Sequence, residues 1–165
     1  MCEYFADNKK LKGRFIKIMN FTRKAEADWN GGIMDGKGTV KLGSGAFEGA
    51  YSFQSRFGDD TKATNPEELI AAAHAGCYTM ALSGNLGKAG YSPKNIHTTA
   101  NVKIEKQGDG FVIPNIDLVT EASVDGIEDD EFQRIAEETK KTCPVSQVLA
   151  GAEISLKASL FNVVK

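Results

Sequence analysis

Charge of one sign is what this sequence most plainly lacks. Twenty basic and twenty-two acidic residues leave a formal net charge of −2 over 165 residues. That balance gives no electrostatic reason to bind nucleic acid or an anionic lipid surface. Cysteine is scarce as well, and three residues imply no closed disulfide framework. No apolar run resembles a secretion signal or a spanning helix, so a cytoplasmic, reducing compartment is expected. In such a compartment a cysteine pair serves catalysis, sensing or metal binding more often than architecture. Internal repeats and low-complexity linkers are also missing. A single domain with a real core is the expectation for this length.

What is present is organised around Thr64 to Ser83, T-N-P-E-E-L-I-A-A-A-H-A-G-C-Y-T-M-A-L-S. Asn65 suits an N-cap, Pro66 the first helical position, and Glu68 the third position of a capping box. The residues that follow are small or apolar on every side, the pattern of a buried helix. Glu67, His74 and Cys77 interrupt it. With Ile70 they fall on one stripe at steps of three and four. A lone buried cysteine behaves as a small hydrophobe and a lone histidine as a hydrogen-bonded core group.

Residues 1–18 show little pattern and several lysines, and read as an extension before a single domain over 19–165; Cys2 falls in it. From Phe21 to Trp29 apolar residues alternate with polar ones, as in a half-buried strand. Asn30-Gly31-Gly32 and Gly43-Ser44-Gly45 are turns between this strand, a second over 38–42 and a third over 46–53. Arg56 follows, out of phase with Phe53 and Phe57, so a continued strand points it away from their face. After the central helix, strands are expected around Thr98–Ile104 and Ile116–Val124, with a hairpin turn over 107–110. A second helix spans Asp129 to Lys141, acidic at its start and basic at its end. A last strand carries Ile154, Leu156, Ala158 and Leu160.

Cys143 precedes Pro144, which pushes it out of the helical region. A short helix then runs from Pro144 to Leu149, and Cys143 falls at or near its N-cap. Backbone N–H groups and the helix dipole there favour a thiolate.

The run around Cys77, the run C-P-V-S-Q-V-L and the preceding S-R-F resemble the OsmC family of thiol-dependent hydroperoxide reductases, whose fold the related Ohr proteins share. The resemblance extends from Met19 to Phe161 and includes G-K-G-T-V. Val145 after the C-P pair and His74 before Cys77 are similar to the OsmC branch. The resemblance implies an α+β homodimer in which antiparallel sheets from both subunits wrap central buried helices. It implies reduction of organic hydroperoxides in oxidative or osmotic stress defence. Cys77 matches the peroxidatic cysteine, Cys143 the resolving cysteine, Arg56 the active-site arginine and Glu67 its carboxylate partner. No bound cofactor is implied; the reductant is an external dithiol, a small or lipoyl-type one or a dithiol protein. Neither nucleic acid nor membrane is an expected partner.

Residue chemistry supports the same reading. A thiolate attacks a peroxide oxygen, and a thiol in apolar surroundings has too high a pKa to supply one. Arg56, always protonated, is the cation placed to offset burial and to stabilise the departing alkoxide. The sulfenic acid left on Cys77 can condense with Cys143. Ten helical residues, about 15 Å, separate Glu67 from Cys77, so Glu67 cannot touch it. Either Arg56 spans part of that gap, or a partner subunit supplies one of the groups. Two other readings compete. One is a metal site from Cys77, His74 and Cys143 with Glu67 as a fourth ligand; the absence of C-x-x-C and His-x-x-x-His spacing weakens it. The other is a redox-sensing or ligand-binding module that forms the disulfide without turnover.

Overall fold

A computed structural model describes residues 20–161. The extension expected over residues 1–18, with Cys2, lies outside the described residues. The architecture is α+β. Strands β1 (Ala25–Asn30), β2 (Lys37–Leu42) and β3 (Glu48–Ser52) form an antiparallel meander in the order β1-β2-β3. The first strand starts four residues later than the alternation suggests, and Phe21 lies exposed outside it. Gly38 of β2 sits opposite Trp29 on one side and Tyr51 on the other. Without a side chain there, the two rings meet across the central strand, 5.3 Å between centroids. A Cβ on Gly38 would run into the Tyr51 ring.

The third strand stops at Ser52 rather than continuing through Phe53. Ser52 accepts the Ser55 N–H at 3.1 Å, and the Ser55 hydroxyl accepts the Ser52 N–H at 2.9 Å. This capping box opens a five-residue helix, α1 (Phe53–Phe57). Helical spacing brings the Phe53 and Phe57 rings together, 5.1 Å between centroids, and places the Arg56 guanidinium over Phe57. Arg56 therefore does not turn away from that aromatic face, because the period there is 3.6 and not 2.

Helix α2 (Pro66–Lys88) begins as expected, with the Asn65 side chain accepting the Glu68 N–H at 2.9 Å. Only half of the capping box forms. The Glu68 carboxylate takes the Thr64 hydroxyl at 2.9 Å instead of the Asn65 N–H. The helix runs through Gly84 and Gly87 without fraying. Leu82 and Leu86 are buried there, and the Asn85 side chain donates to Thr139 Oγ1 at 2.9 Å.

The second sheet has the order β4-β7-β8: β4 (Pro93–Val102), β7 (Asn115–Val124) and β8 (Glu153–Leu160); β5 (Glu105–Gln107) and β6 (Gly110–Val112) form a separate hairpin. The antiparallel expectation holds for β4 and β7, while β8 runs parallel to β7. A parallel neighbour needs a long crossover. Helices α3 (Asp129–Thr142) and α4 (Pro144–Val148) supply it. Along β7, Ile116, Leu118, Thr120 and Ala122 are fully buried at alternate positions. With Tyr78, Leu82 and Leu86 of α2 and Phe132, Ile135 and Ala136 of α3, this face makes the core.

The core covers one side of α2 only. Ala72, Ala73, Gly76, Met80, Ser83, Gly84 and Gly87 lie on an exposed stripe, with Met80 at 78% exposure. The all-round burial implied by the apolar composition of α2 is therefore not reached among the described residues.

Candidate active site

Two clusters sit on α2, one at its start and one near its middle. At the start, α1 is tied down from both sides. The Ser55 hydroxyl donates to the Thr64 carbonyl at 2.7 Å, and Asn65 Nδ2 donates to the Ser55 carbonyl at 3.1 Å. The capping residues of the two helices thus lock them together. That lock places Arg56 on Glu67: Nη2 donates to Oε1 at 2.7 Å, and Nε lies 3.2 Å from both carboxylate oxygens. Glu67 is 7% exposed, whereas the Arg56 side chain keeps 37% of its surface. The planar guanidinium engages the acid through two nitrogens. A hollow lined by Trp29, Tyr51, Phe53, Phe57 and Pro66 adjoins Arg56.

The second cluster forms where α4 packs on α2. Cys143 closes α3, its N–H donating to the Thr139 carbonyl at 2.8 Å. Its backbone is extended, φ −61° and ψ 122°, as the following Pro144 demands. In that conformation its side chain turns toward α2. Cys143 Sγ lies 3.3 Å from Cys77 Sγ. Both thiols are free; Cys143 is fully buried and Cys77 half-buried. His74, one turn before Cys77, is fully buried, and its Nε2 lies 2.8 Å from Ser146 Oγ. Tyr78, the neighbour of Cys77, donates its hydroxyl to the Ala136 carbonyl at 3.1 Å.

The electrostatics of the thiol pair are unequal. Burial pushes the Cys77 thiol up, only partly offset by the Val145 N–H. Burial acts on Cys143 too, but the Ser146 N–H, the Cys77 thiol, the Ser146 hydroxyl and the Val145 N–H outweigh it and bring Cys143 below the usual thiol range. Burial lowers the His74 pKa, which keeps the imidazole neutral.

Of the four residues singled out from sequence, the fold pairs Cys77 with Cys143 and Arg56 with Glu67. It does not join the pairs. Arg56 makes no hydrogen bond to Cys77, and it is engaged with Glu67 about 15 Å of helix away. Glu67 is also about 10 Å of helix from His74 and makes no hydrogen bond to it or to the thiols. Among the described residues no three His, Cys, Asp or Glu side chains converge as a metal site would require. None of the helices described is long and apolar enough to cross a membrane. Ser146 was not apparent as a site residue from sequence. Its signal was its position three residues after Cys143, where an N-cap partner falls.

Comparison with known proteins gives a consistent picture. A family described as OsmC-like protein matches residues 58–159. Peroxiredoxin OsmC of Escherichia coli K12 is 48% identical over 143 residues, 86% of this chain and 99% of that protein. An organic hydroperoxide resistance protein from Elizabethkingia anophelis, solved with crystallant-derived thiocyanate bound, is 26% identical; the match covers 87% of this chain and 99% of that one, with a TM-score of 0.64. An OsmC-like protein from Mycoplasma pneumoniae shares the fold with a TM-score of 0.70 at 15% identity, covering 87% and 100% of the two chains.

Proposed function

The chain belongs to the OsmC-like protein family, and from that premise we propose that it is a thiol-dependent peroxidase that reduces organic hydroperoxides to alcohols. The observation that carries this reading is the 3.3 Å approach of a half-buried thiol to a fully buried one. Cys77, the more accessible, is the attacking sulfur. Its thiolate takes the outer oxygen of the peroxide, the O–O bond breaks, and the alkoxide leaves and is protonated. Cys143 then attacks the Cys77 sulfenic acid; an S–S bond forms, the S–O bond breaks, and the Cys143 proton leaves with the hydroxyl as water. An external dithiol reduces the disulfide. A cytoplasmic, reducing setting suits a pair that must be restored each cycle.

A cation is needed where Cys77 ionises, since burial opposes the charge. The functional unit on this reading is a homodimer in which each Cys77 meets the partner's ion-paired arginine. Two features support it. The exposed stripe of small residues on α2, with Met80, is a surface that a second helix could cover closely. The Arg56–Glu67 pair is complete within one chain, so a partner would deliver the whole pair. The aromatic hollow beside Arg56 would then favour an organic hydroperoxide over hydrogen peroxide.

The test is steady-state turnover with cumene hydroperoxide and hydrogen peroxide, using a small dithiol as reductant, and mapping of the disulfide formed. Turnover that prefers the organic peroxide, with a Cys77–Cys143 disulfide, supports the enzyme. Disulfide formation that stops after one equivalent, whatever the dithiol, would instead make the protein a redox sensor.

A further inference from the structure

Ser55 carries no charge and has no place in the chemistry described so far, yet it is buried directly before Arg56. Its hydroxyl accepts the Ser52 N–H at 2.9 Å and donates to the Thr64 carbonyl at 2.7 Å. The Ser55 carbonyl accepts Asn65 Nδ2 at 3.1 Å, while the Asn65 side-chain oxygen caps α2 through the Glu68 N–H. The Thr64 N–H in turn donates to the Ala50 carbonyl of β3 at 2.9 Å. One serine thus joins the end of β3, the single turn of α1 and the start of α2.

A helix of five residues does not persist on its own backbone bonds. The chain that follows it, residues 58–62, is exposed and gives α1 little to rest on. The aromatic contacts of Phe57, 5.1 Å from Phe53 and 4.5 Å from Phe111 between ring centroids, are apolar and non-directional. The Ser55 bonds are directional, and they set where the backbone of Arg56 stands.

That backbone position decides which way the guanidinium opens. Glu67 occupies its side edge, Nε and Nη2. Phe57 lies under its face, with Cζ 5.0 Å from the ring centroid. Nη1 makes no hydrogen bond among the described residues. The end edge, Nη1 with the second N–H of Nη2, is therefore left as a fork of two donors. With one edge and one face taken, the fork points in one direction for as long as α1 is held.

We propose, building on the peroxidase reading, that Ser55 is a positioning residue for Arg56: its clasp on Thr64 holds the open guanidinium edge in one direction before the peroxide arrives. As the O–O bond breaks, negative charge leaves the attacking sulfur and gathers on the departing oxygen. A donor pair already in place stabilises that charge without reorganising. On an unclasped α1 the arginine keeps its charge and its carboxylate, but its fork samples other directions and only a fraction of encounters find it aligned.

The experiment has two readouts on the full-length protein. The first needs no peroxide: hydrogen exchange of the Arg56 side-chain Nε–H, followed by heteronuclear NMR and assigned by its loss in Arg56→Lys. Ser55→Ala should speed that exchange about tenfold. Asn65→Asp keeps the α2 cap but has no N–H for the Ser55 carbonyl, and should speed it in the same direction; it carries the test if Ser55→Ala does not fold. Thr64→Ala removes the hydroxyl bond to Glu68, leaves the Thr64 carbonyl in place, and should not change the exchange. The second readout is stopped-flow kinetics with cumene hydroperoxide. Ser55→Ala should slow sulfenic acid formation about tenfold and leave disulfide closure at its native rate. On an Arg56→Ala background the serine substitution should add nothing, because the serine acts through the arginine. Unchanged Nε–H exchange in the clasp variants, equal slowing of both chemical steps, or a further tenfold loss on the Arg56→Ala background would overturn the proposal. If the exchange responds while the native protein shows no turnover, the clasp stands and the peroxidase reading falls.

Discussion

The two ends of the active half of α2 solve opposite problems. At its start, two charged groups are held by direct pairing: Arg56 and Glu67 share three close N–O contacts, and the arginine keeps contact with water. Near its middle, two thiols are held by burial, with a serine and a histidine as the nearby polar groups. The first end has charge without a nucleophile. The second has nucleophiles and, among the described residues, no cation hydrogen-bonded to them. Along one helix the starts of the two clusters lie about 15 Å apart, and on the proposed reading neither half is complete by itself. A second copy, related by a two-fold axis across the open face of α2, is the economical way to bring them together.

The comparison is broken most severely by removing the nucleophile. Cys77→Ser should abolish turnover with organic hydroperoxide to the background rate, while Cys143→Ser should complete one reaction and stop at sulfenic acid. Mass spectrometry with a sulfenic-acid trap separates the two outcomes, and equal loss of the first reaction in both would remove the division of labour. Next in size is the loss of the cation. Arg56→Ala should slow the first step about a hundredfold. Arg56→Lys should lose about tenfold, because an ammonium cannot hold Glu67 and orient the peroxide together. The pH dependence of Cys77 alkylation, measured beside the peroxide rate, shows whether the lysine keeps thiolate content while losing rate. Met80→Glu places a charge on the open stripe of α2. It should halve the mass seen by light scattering and lower the rate with both clusters intact; an unchanged mass would move the interface elsewhere.

A smaller effect sharpens the thiol end. Burial holds the His74 pKa below its ordinary value. In the unfolded chain that value is about 6.5, so the unfolded state gains a proton first as pH falls. The contribution of neutral His74 to stability is therefore present above about pH 6.5 and is lost as pH falls toward the lowered pKa. Urea midpoints at pH 7 and pH 5 should fall further apart in the native protein than in His74→Gln.

Much of this was legible in the sequence because local rules and tertiary packing agree there. Asn65 and Pro66 mark the start of α2, alternation along β7 marks its buried face, and Pro144 forces Cys143 out of the helix. Arg56 was legible as a residue but not as a geometry: a strand pattern through Phe53 hides a helix whose start depends on Ser52 and Ser55 capping each other. The parallel pairing of β8 was hidden because strand direction is set by the α3–α4 crossover and not by the residues of β8. His74 read as an ordinary core histidine, since its partner Ser146 is distant in sequence. The open face of α2 could not be told from a core face, because small apolar residues suit both.

The central claim is that a working site combines the thiols of one chain with the ion pair of another. The direct measurement is complementation between Cys77→Ser protein, at background alone, and Arg56→Ala protein, slowed about a hundredfold alone, mixed in equal amounts and exchanged by mild denaturation and refolding. A mixed dimer has one complete site, with Cys77 from one chain and Arg56 from the other. If the claim holds, activity returns to roughly a quarter of the wild-type level, since half the dimers are mixed and each carries one of two sites. If Arg56 serves the thiols of its own chain, no mixed dimer has an intact site, and the mixture stays as inactive as its components.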